Sequence, residues 1–135
     1  MKYFIIIVLL LIFSLPSMAN IAVIVHPSNG ATVDQSDISR LFLGKKKAFS
    51  DGGQAVPINL AGSDARANSE EQALSKSSSQ LKAYWSKLVF TGKGSPPKEV
   101  KSEQEMLDLI AKNPNFIGYV SADKVNDSVK VIATF

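Results

Sequence analysis

The residues best suited to chemistry in this chain lie in one short segment, Gly62-Ser63-Asp64-Ala65-Arg66. The pattern predicts a strand end, a glycine-containing turn and a helix capped by Ser63 or Asp64, with Arg66 in the first helical turn. A helix N-terminus carries partial positive charge and unpaired N–H groups, so a cation is disfavoured there. A bound anion would explain why a cation lies beside the positive end of a helix. The Gly62 backbone, the Ser63 hydroxyl and the Arg66 guanidinium could together bind a tetrahedral oxyanion.

A simple ion pair explains the same arginine equally well. Arg66 and Glu70 are spaced i, i+4, which places them on one side of a helix, and Asp64 is close in sequence. An exposed pair of this kind contributes only a few tenths of a kcal/mol. Asp64 would also repel an anion. The spacing of these residues therefore leaves both the oxyanion site and the salt bridge open.

A second glycine-rich segment, Thr91-Gly92-Lys93-Gly94, is a weaker candidate for anion binding. Thr91, Gly92 and Lys93 offer backbone N–H groups and one cation, but the Gly-Lys-Ser/Thr ending of a phosphate-binding P-loop is absent. A glycine-rich exit from a helix is more typical of a turn. Trp85 lies on a predicted apolar helix face, which favours a core position over a ligand platform.

The residue inventory argues against catalysis and against a metal or cofactor. The chain has one histidine, His26, and no cysteine, so a His-His or Cys-His metal site cannot form within one chain. A Ser-His-Asp triad through His26 lacks the Gly-x-Ser-x-Gly elbow that would support it. His26 follows a predicted strand and precedes a proline, so we expect it at a strand end, and we expect no enzyme activity.

The N-terminal residues 1–19 have the pattern of a secretory signal peptide. A basic residue, Lys2, precedes the apolar run Phe4–Phe13, and Ser17-Met18-Ala19 is a small-x-small cleavage site. The apolar run is shorter than the roughly 20 residues that a membrane span needs. We therefore expect a mature, exported domain of residues 20–135 that does not span the membrane. The net charge of +3 is too small and too dispersed to indicate nucleic-acid binding.

Strands alternate with helices along the rest of the chain, which predicts an α/β sandwich with a mixed sheet of four or five strands. Ser36 is the expected N-cap of the first helix, Ser78 or Ser79 that of the third, and Ser102 opens the last helix with a Ser-x-x-Glu capping box. Predicted strands are Ile21–Val25, Val56–Leu60, Phe116–Val120 and Val129–Thr134, and predicted helices begin near Ser36, Asp64, Ser78 and Ser102.

Three segments in order resemble the small exported relatives of the phosphate-binding proteins of ABC transporters. The segments are 40–60 (RLFLGKKKAFSDGGQAVPINL), 84–97 (YWSKLVFTGKGSPP) and 116–123 (FIGYVSAD). The shared features are a Leu-Phe-x-Gly-Lys segment, a strand ending in Pro-Ile-Asn, a Ser-x-x-Arg helix start, Trp-x-x-x-x-Phe-x-Gly-x-Gly-x-Pro-Pro and Ile-Gly-Tyr-Val. The similarity covers nearly all of residues 20–135.

The resemblance implies one lobe of a two-lobed type II periplasmic binding protein, a three-layer α/β fold, and a periplasmic location. In that family a turn at a helix N-terminus binds phosphate, which implies a ligand site here at Gly62, Ser63 and Arg66. The family's arginine precedes its turn, whereas Arg66 follows it. The remaining phosphate contacts of the other lobe have no counterpart here, so the resemblance implies weak binding.

Two functions follow from these patterns. The first is a phosphate or other oxyanion substrate-binding-like protein, connected through the resemblance with phosphate transport and with an envelope transporter or sensor complex. The second is a ligand-free accessory or sensor protein of such a complex, which predicts an exposed apolar patch around Phe90 and Pro96-Pro97, or a stable oligomer. Two copies could also pair to rebuild a cleft.

Overall fold

The computed structural model describes residues 20–62 and 64–135, with the backbone alone for Asp64 and Ala65. The predicted signal peptide, residues 1–19, lies outside this range, and so does Ser63. Within the described part of the chain, no helix is long and apolar enough to cross a membrane. The elements in chain order are β1 Ile21–Val25, α1 Gln35–Phe42, β2 Val56–Leu60, α2 Asp64–Ala73, α3 Ser78–Phe90, β3 Lys98–Val100, α4 Glu103–Lys112, β4 Phe116–Ser121, a 3-10 turn Ala122–Lys124 and β5 Lys130–Thr134.

The five strands form one mixed sheet in the order β3-β2-β4-β1-β5. Strands β3, β2 and β4 run parallel, and β1 is antiparallel to both β4 and β5. The run IAVIV of β1 is buried at every position, as expected for a strand covered on both faces. The α/β class and the mixed sheet predicted from the sequence are confirmed.

Helices cover both faces of the sheet, which makes three layers. On one face, Gly118 of β4 lies against Met106 and Ile110 of α4. On the other face, the ring of Tyr119 contacts Phe42 of α1 edge-on, with 5.8 Å between the ring centres. Neighbouring residues of a strand point to opposite faces of the sheet. The face at Gly118 is called the α4 face, and the face at Tyr119 is called the α1/α2 face.

The expected N-caps of two helices need correction. The N-cap of α1 is Asp34 and not Ser36, because Asp34 and Asp37 form a reciprocal capping box. The N-cap of α3 is Ser77 and not Ser78 or Ser79, because the Ser77 hydroxyl accepts a hydrogen bond from the Gln80 N–H and the Gln80 side chain accepts one from the Ser77 N–H.

Strand β3 was missing from the sequence-based prediction altogether. It has only three residues, Lys98-Glu99-Val100, and two of them are exposed, so the strand has no hydrophobic pattern to reveal it. Its parallel pairing with Ile58–Leu60 of β2 holds it at the sheet edge. This pairing brings Glu99 next to Asn59.

Candidate functional site

The candidate site lies at the carboxyl edge of the parallel strands, where open α/β sheets commonly bind ligands. Strand β2 ends at Leu60, Gly62 takes a left-handed backbone conformation with φ of 58°, and α2 begins at Asp64. Arg66 therefore falls in the first turn of α2, as predicted. Gly62 and Arg66 line the same cleft, whereas Ser63, the third residue of the predicted site, lies outside the described residues.

The Arg66 guanidinium is held by carboxylates on two different elements. Its Nε donates to Glu70 Oε1 at 2.8 Å within α2, and its Nη1 donates to Glu99 Oε1 of β3 at 2.5 Å. Nη1 also lies 3.4 Å from the carbonyl oxygen of Leu60. The i, i+4 ion pair with Glu70 is thus present, and a second carboxylate from β3 joins it.

The two carboxylates differ in their surroundings. Glu70 has only 6% of its side chain exposed, and its second oxygen accepts a 2.8 Å hydrogen bond from the Ser78 hydroxyl of α3. Glu99 has 47% of its side chain exposed. Burial by itself would lower the pKa of Arg66, but the hydrogen bonds that Arg66 donates to Glu70 and Glu99 outweigh burial and raise that pKa. Arg66 therefore stays charged, with Glu70 as its fixed partner and Glu99 as its solvent-facing one.

A buried tyrosine supports the strand ends beneath this cluster. The Tyr119 hydroxyl accepts a hydrogen bond from the Leu60 N–H at 3.2 Å and donates one to Asn59 Oδ1 at 3.0 Å. Burial raises the pKa of Tyr119, so its hydroxyl keeps its proton and continues to donate a hydrogen bond to Asn59. This arrangement fixes the orientation of the Asn59 side chain, which also lines the cleft.

The cleft above these residues has a volume of about 790 Å³. It lies between α2 and α3, with β3 and the loop before it on the remaining side. Its polar residues include Asn59, Arg66, Glu70, Ser78, Lys82 and Glu99, and its apolar residues include Phe42, Leu74, Leu81, Trp85, Val89, Phe90 and Pro96. The predicted core position of Trp85 is only partly realised, because its ring is half-buried and lines this cleft.

Helix α3 forms the outer wall and is tied to the rest of the molecule at few points. The Tyr84 hydroxyl donates to the Leu43 carbonyl oxygen at 2.7 Å, and Trp85 lies against Gly44. A Cβ at Gly44 would come within 3.1 Å of the Trp85 ring, and φ there is 73°, so this contact requires glycine. Further along α3, Val89 and Phe90 are 55% and 93% exposed. The ligand-free alternative predicts an exposed apolar patch around Phe90 and Pro96-Pro97, and Phe90 itself is exposed.

The weaker candidates Thr91, Gly92 and Lys93 are outside the cleft and form the C-terminal cap of α3. Their backbone N–H groups donate to the carbonyl oxygens of Lys87, Val89 and Leu88, in that order. The Thr91 hydroxyl also donates to Lys87 O at 2.8 Å. These donors already satisfy the end of the helix, so the segment has the geometry of a turn.

His26 directly follows β1 and does not line the cleft. Its Nδ1 lies 2.7 Å from the Ser28 hydroxyl. The Ser28 N–H also donates to this nitrogen at 3.0 Å. Among the described residues, the hydrogen bonds and ion pairs of His26 include no carboxylate, so the third member of a triad is missing there. The same part of the chain contains no group of three or more His, Asp or Glu side chains that could hold a metal ion.

Sequence reasoning missed Glu99, Asn59 and Ser78 as members of the site. Glu99 belongs to the unrecognised strand β3, and only the parallel register of β2 and β3 places it beside Asn59. Asn59 ends a recognised strand and precedes the glycine turn, so its position next to a ligand crevice was the one available signal. Ser78 had been assigned to capping, although its side chain contacts Glu70 instead.

Several solved structures of phosphate-transport and phosphate-binding proteins match this fold. The chain matches an ABC-type phosphate transport receptor from Vibrio cholerae with a TM-score of 0.63 and 17% identity, covering 84% of this chain and 46% of that one. It matches a protein from Clostridium perfringens, assigned as a phosphate ABC transporter substrate-binding protein and solved with bound phosphate, with a TM-score of 0.65 and 20% identity, covering 84% and 45%. For PstS from Borrelia burgdorferi the values are 0.61 and 14%, covering 85% and 47%.

The amino-acid sequence itself matches no protein-family model and no curated protein. The structural matches span less than half the length of the solved proteins, and their identities are too low to show more than the fold. The chain therefore has the α/β fold of one part, about half in length, of the phosphate-binding proteins of ABC transporters.

Proposed function

We propose that this chain is an exported oxyanion-binding protein, related to the solute-binding component of phosphate ABC transporters, which holds phosphate or a similar oxyanion at Gly62, Ser63 and Arg66. The observation that carries the proposal is the position of Arg66. It lies in the first turn of α2, at the carboxyl edge of the parallel strands, and it lines a cleft together with Gly62. The fold is one that solved phosphate-transport receptors share.

The contacts of Arg66 indicate how an oxyanion would enter. Glu70 is buried and bonded through both oxygens, so it anchors the Nε side of the guanidinium. Glu99 is half-exposed, and its carboxylate takes the place on Nη1 that a ligand oxygen would need. A phosphate oxygen that binds Nη1 would therefore displace Glu99 from Arg66. Competition with an internal carboxylate, in a cleft open to water, makes the expected affinity weak.

The test is a calorimetric titration of the purified protein with phosphate and, separately, with sulfate. Glu99→Gln removes the competing charge and is expected to tighten phosphate binding by up to about fivefold, since an exposed ion pair contributes roughly 0.2–1 kcal/mol. Arg66→Lys keeps the positive charge but loses the planar donor pair, and it is expected to weaken binding by at least about tenfold.

Arg40→Lys is the matched control, because Arg40 is an exposed arginine on α1 that does not line the cleft. It should leave the affinity unchanged. The absence of saturable heat at millimolar phosphate, in both the wild type and Glu99→Gln, would overturn the proposed site. Equal affinities of the wild type and Arg66→Lys would do the same.

Export is tested separately from binding. If residues 1–19 are a signal peptide, the protein recovered from the cell envelope begins at Asn20, and intact-mass measurement detects the loss of the leader. A full-length chain recovered from the cytoplasm would contradict export. We expect binding without turnover, because the solved neighbours are transport receptors and binding proteins.

A further inference from the structure

The cleft is much larger than an inorganic anion requires. A water molecule occupies about 30 Å³, so a cleft of about 790 Å³ has room for on the order of 25 waters. Its size falls in the range of small-molecule sites, which are mostly apolar with a few polar groups that fix the orientation of the ligand. Phosphate bound at Gly62 and Arg66 would leave most of this space, and most of its apolar wall, without a ligand.

The two ends of α3 present different residues to the cleft, a polar one at the start and two apolar ones at the end. Ser78, at the start of the helix, contacts Glu70 and so lies beside the Arg66 cluster. Val89 and Phe90, at the other end, lie about 18 Å further along at 1.5 Å per residue. Between these ends α3 contributes two apolar residues, Leu81 and Trp85, and two polar ones, Lys82 and Ser86. The facing elements contribute the apolar residues Phe42, Leu74 and Pro96.

We propose that the cleft binds a single-chain amphipathic phosphate monoester, with the phosphate at Gly62 and Arg66 and the apolar chain along α3 toward Phe90. This inference rests on the proposed function, because it uses the same oxyanion site for the head group. It extends that function by naming the class of molecule: an organic phosphate with an apolar body, bound as a monomer from solution.

The charged residues that line the cleft are two cations and two carboxylates, so displacement of Glu99 would leave an excess of one positive charge there. Arg66 and Lys82 both line the cleft, and Lys82 is exposed four residues after Ser78 on α3. Of the two acidic lining residues, Glu70 has both its oxygens hydrogen-bonded, and Glu99 is half-exposed and can turn toward solvent. Once Glu99 is displaced, the cations Arg66 and Lys82 line the cleft with one carboxylate, that of Glu70, which stays bonded to Arg66 Nε.

The exposed end of α3 fits the distal part of an apolar chain. Val89 and Phe90 are 55% and 93% exposed although both line the cleft. A chain that reaches them would cover apolar surface that otherwise faces water, at about 25 cal/mol per Å². An inorganic anion at Arg66 would leave both side chains as they are.

The experiment measures affinities for inorganic phosphate and for butyl, hexyl, octyl and decyl phosphate, each below its micelle-forming concentration, with octyl glucoside as the neutral-head control. Affinity is expected to rise with chain length by up to about fourfold per buried methylene, and to level off once the chain fills the cleft. Arg66→Lys should weaken the binding of every phosphate ligand, and octyl glucoside should bind much more weakly than octyl phosphate.

A blocked cleft separates the chain from the head group. Ala67 is exposed on α2 and lines the cleft, so Ala67→Trp fills part of it without entering the protein core. In this variant the affinity for alkyl phosphates should no longer rise with the length of the alkyl chain. The affinity for inorganic phosphate should stay the same. Glu71→Trp is the matched control, because Glu71 is exposed on the same helix and does not line the cleft.

The contrary outcomes distinguish the two proposals. Alkyl phosphates that bind no more tightly than inorganic phosphate would overturn the amphipathic ligand and leave the oxyanion site standing. Octyl glucoside binding as tightly as octyl phosphate, with no loss in Arg66→Lys, would overturn both. Binding to vesicles that contain phosphatidic acid, without binding of monomeric alkyl phosphates, would overturn the soluble ligand in favour of a membrane surface.

Discussion

The two faces of the sheet are built differently. On the α4 face, Gly118 lets Met106 and Ile110 approach the strand so closely that a Cβ there would come within 3.3 Å of three of their atoms. On the α1/α2 face, the strand ends carry Asn59 and Glu99, and a cleft of about 790 Å³ separates them from α3. The densely packed α4 face stabilises the fold. The α1/α2 face is less densely packed beside the cleft, which leaves its polar cluster accessible.

The largest expected effect comes from removing the same kind of side chain on each face. Ile110 is fully buried on α4, so Ile110→Ala should lower the free energy of unfolding by about 2–5 kcal/mol. Val89 is 55% exposed on α3, so Val89→Ala should cost less than about 0.5 kcal/mol. Urea unfolding of both variants checks the comparison, and similar losses would contradict it.

The two carboxylates that pair with Arg66 allow a second test, confined to the α1/α2 face. Glu70→Gln breaks a buried, doubly bonded carboxylate and should lower the free energy of unfolding by about 1.5–3 kcal/mol. Glu99→Gln alters a half-exposed pair and should change it by less than about 1 kcal/mol. Thermal unfolding of the two variants gives the order. A greater loss in Glu99→Gln would show that Glu99 is structural and not displaceable.

Gly118→Ala tests how tightly the α4 face is packed. The added methyl group would lie 2.4 Å from Met106 Sδ, so the buried Met106 side chain must move. We expect a loss of about 1–3 kcal/mol, typical of overpacking a core. In the double variant with Met106→Ala, the loss should be smaller than the sum of the two single losses, because each change relieves the other. Strict additivity would mean that the two residues do not compete for space.

The smallest expected effect concerns Tyr119 and depends on pH. Tyr119→Phe removes two hydrogen bonds and should cost about 1–2 kcal/mol at neutral pH. The folded protein raises the pKa of this phenol, whereas the unfolded chain ionises near pH 10. The contribution of the neutral phenol is therefore fully present below about pH 10 and is lost as pH rises further. Unfolding measured from pH 8 to 11 should show a weaker pH dependence in Tyr119→Phe, and an unchanged slope would contradict this assignment.

The parts of the fold that could be predicted are those with a hydrophobic pattern of their own. The run Ile21–Val25 is apolar and buried at every position, and the apolar residues of α1 and α4 recur with the helical period and are buried. The exact caps could not be predicted, because Asp34 and Ser36, or Ser77 and Ser78, are equally good cap residues in sequence. Which one acts is decided by its reciprocal partner, Asp37 or Gln80.

The residues of the candidate site were harder to predict from the sequence than the helix caps. Arg66 was identified because a cation in the first turn of a helix is unusual, and its pairing with Glu70 followed from spacing alone. Glu99 could not be found this way, because it reaches Arg66 only through the pairing of a three-residue edge strand. Long-range pairing of short polar segments leaves no local signal, and the cleft beside α3 depends on such pairing.

The strand order has a further consequence for how the chain acquires its structure. Strand β1 comes first, yet its two neighbours, β4 and β5, come after all four helices. The centre of the sheet therefore cannot close until most of the chain is available, and such non-local pairing makes folding slow. In the described part of the chain, β1 therefore has no strand to pair with until residues 116–121 have left the ribosome.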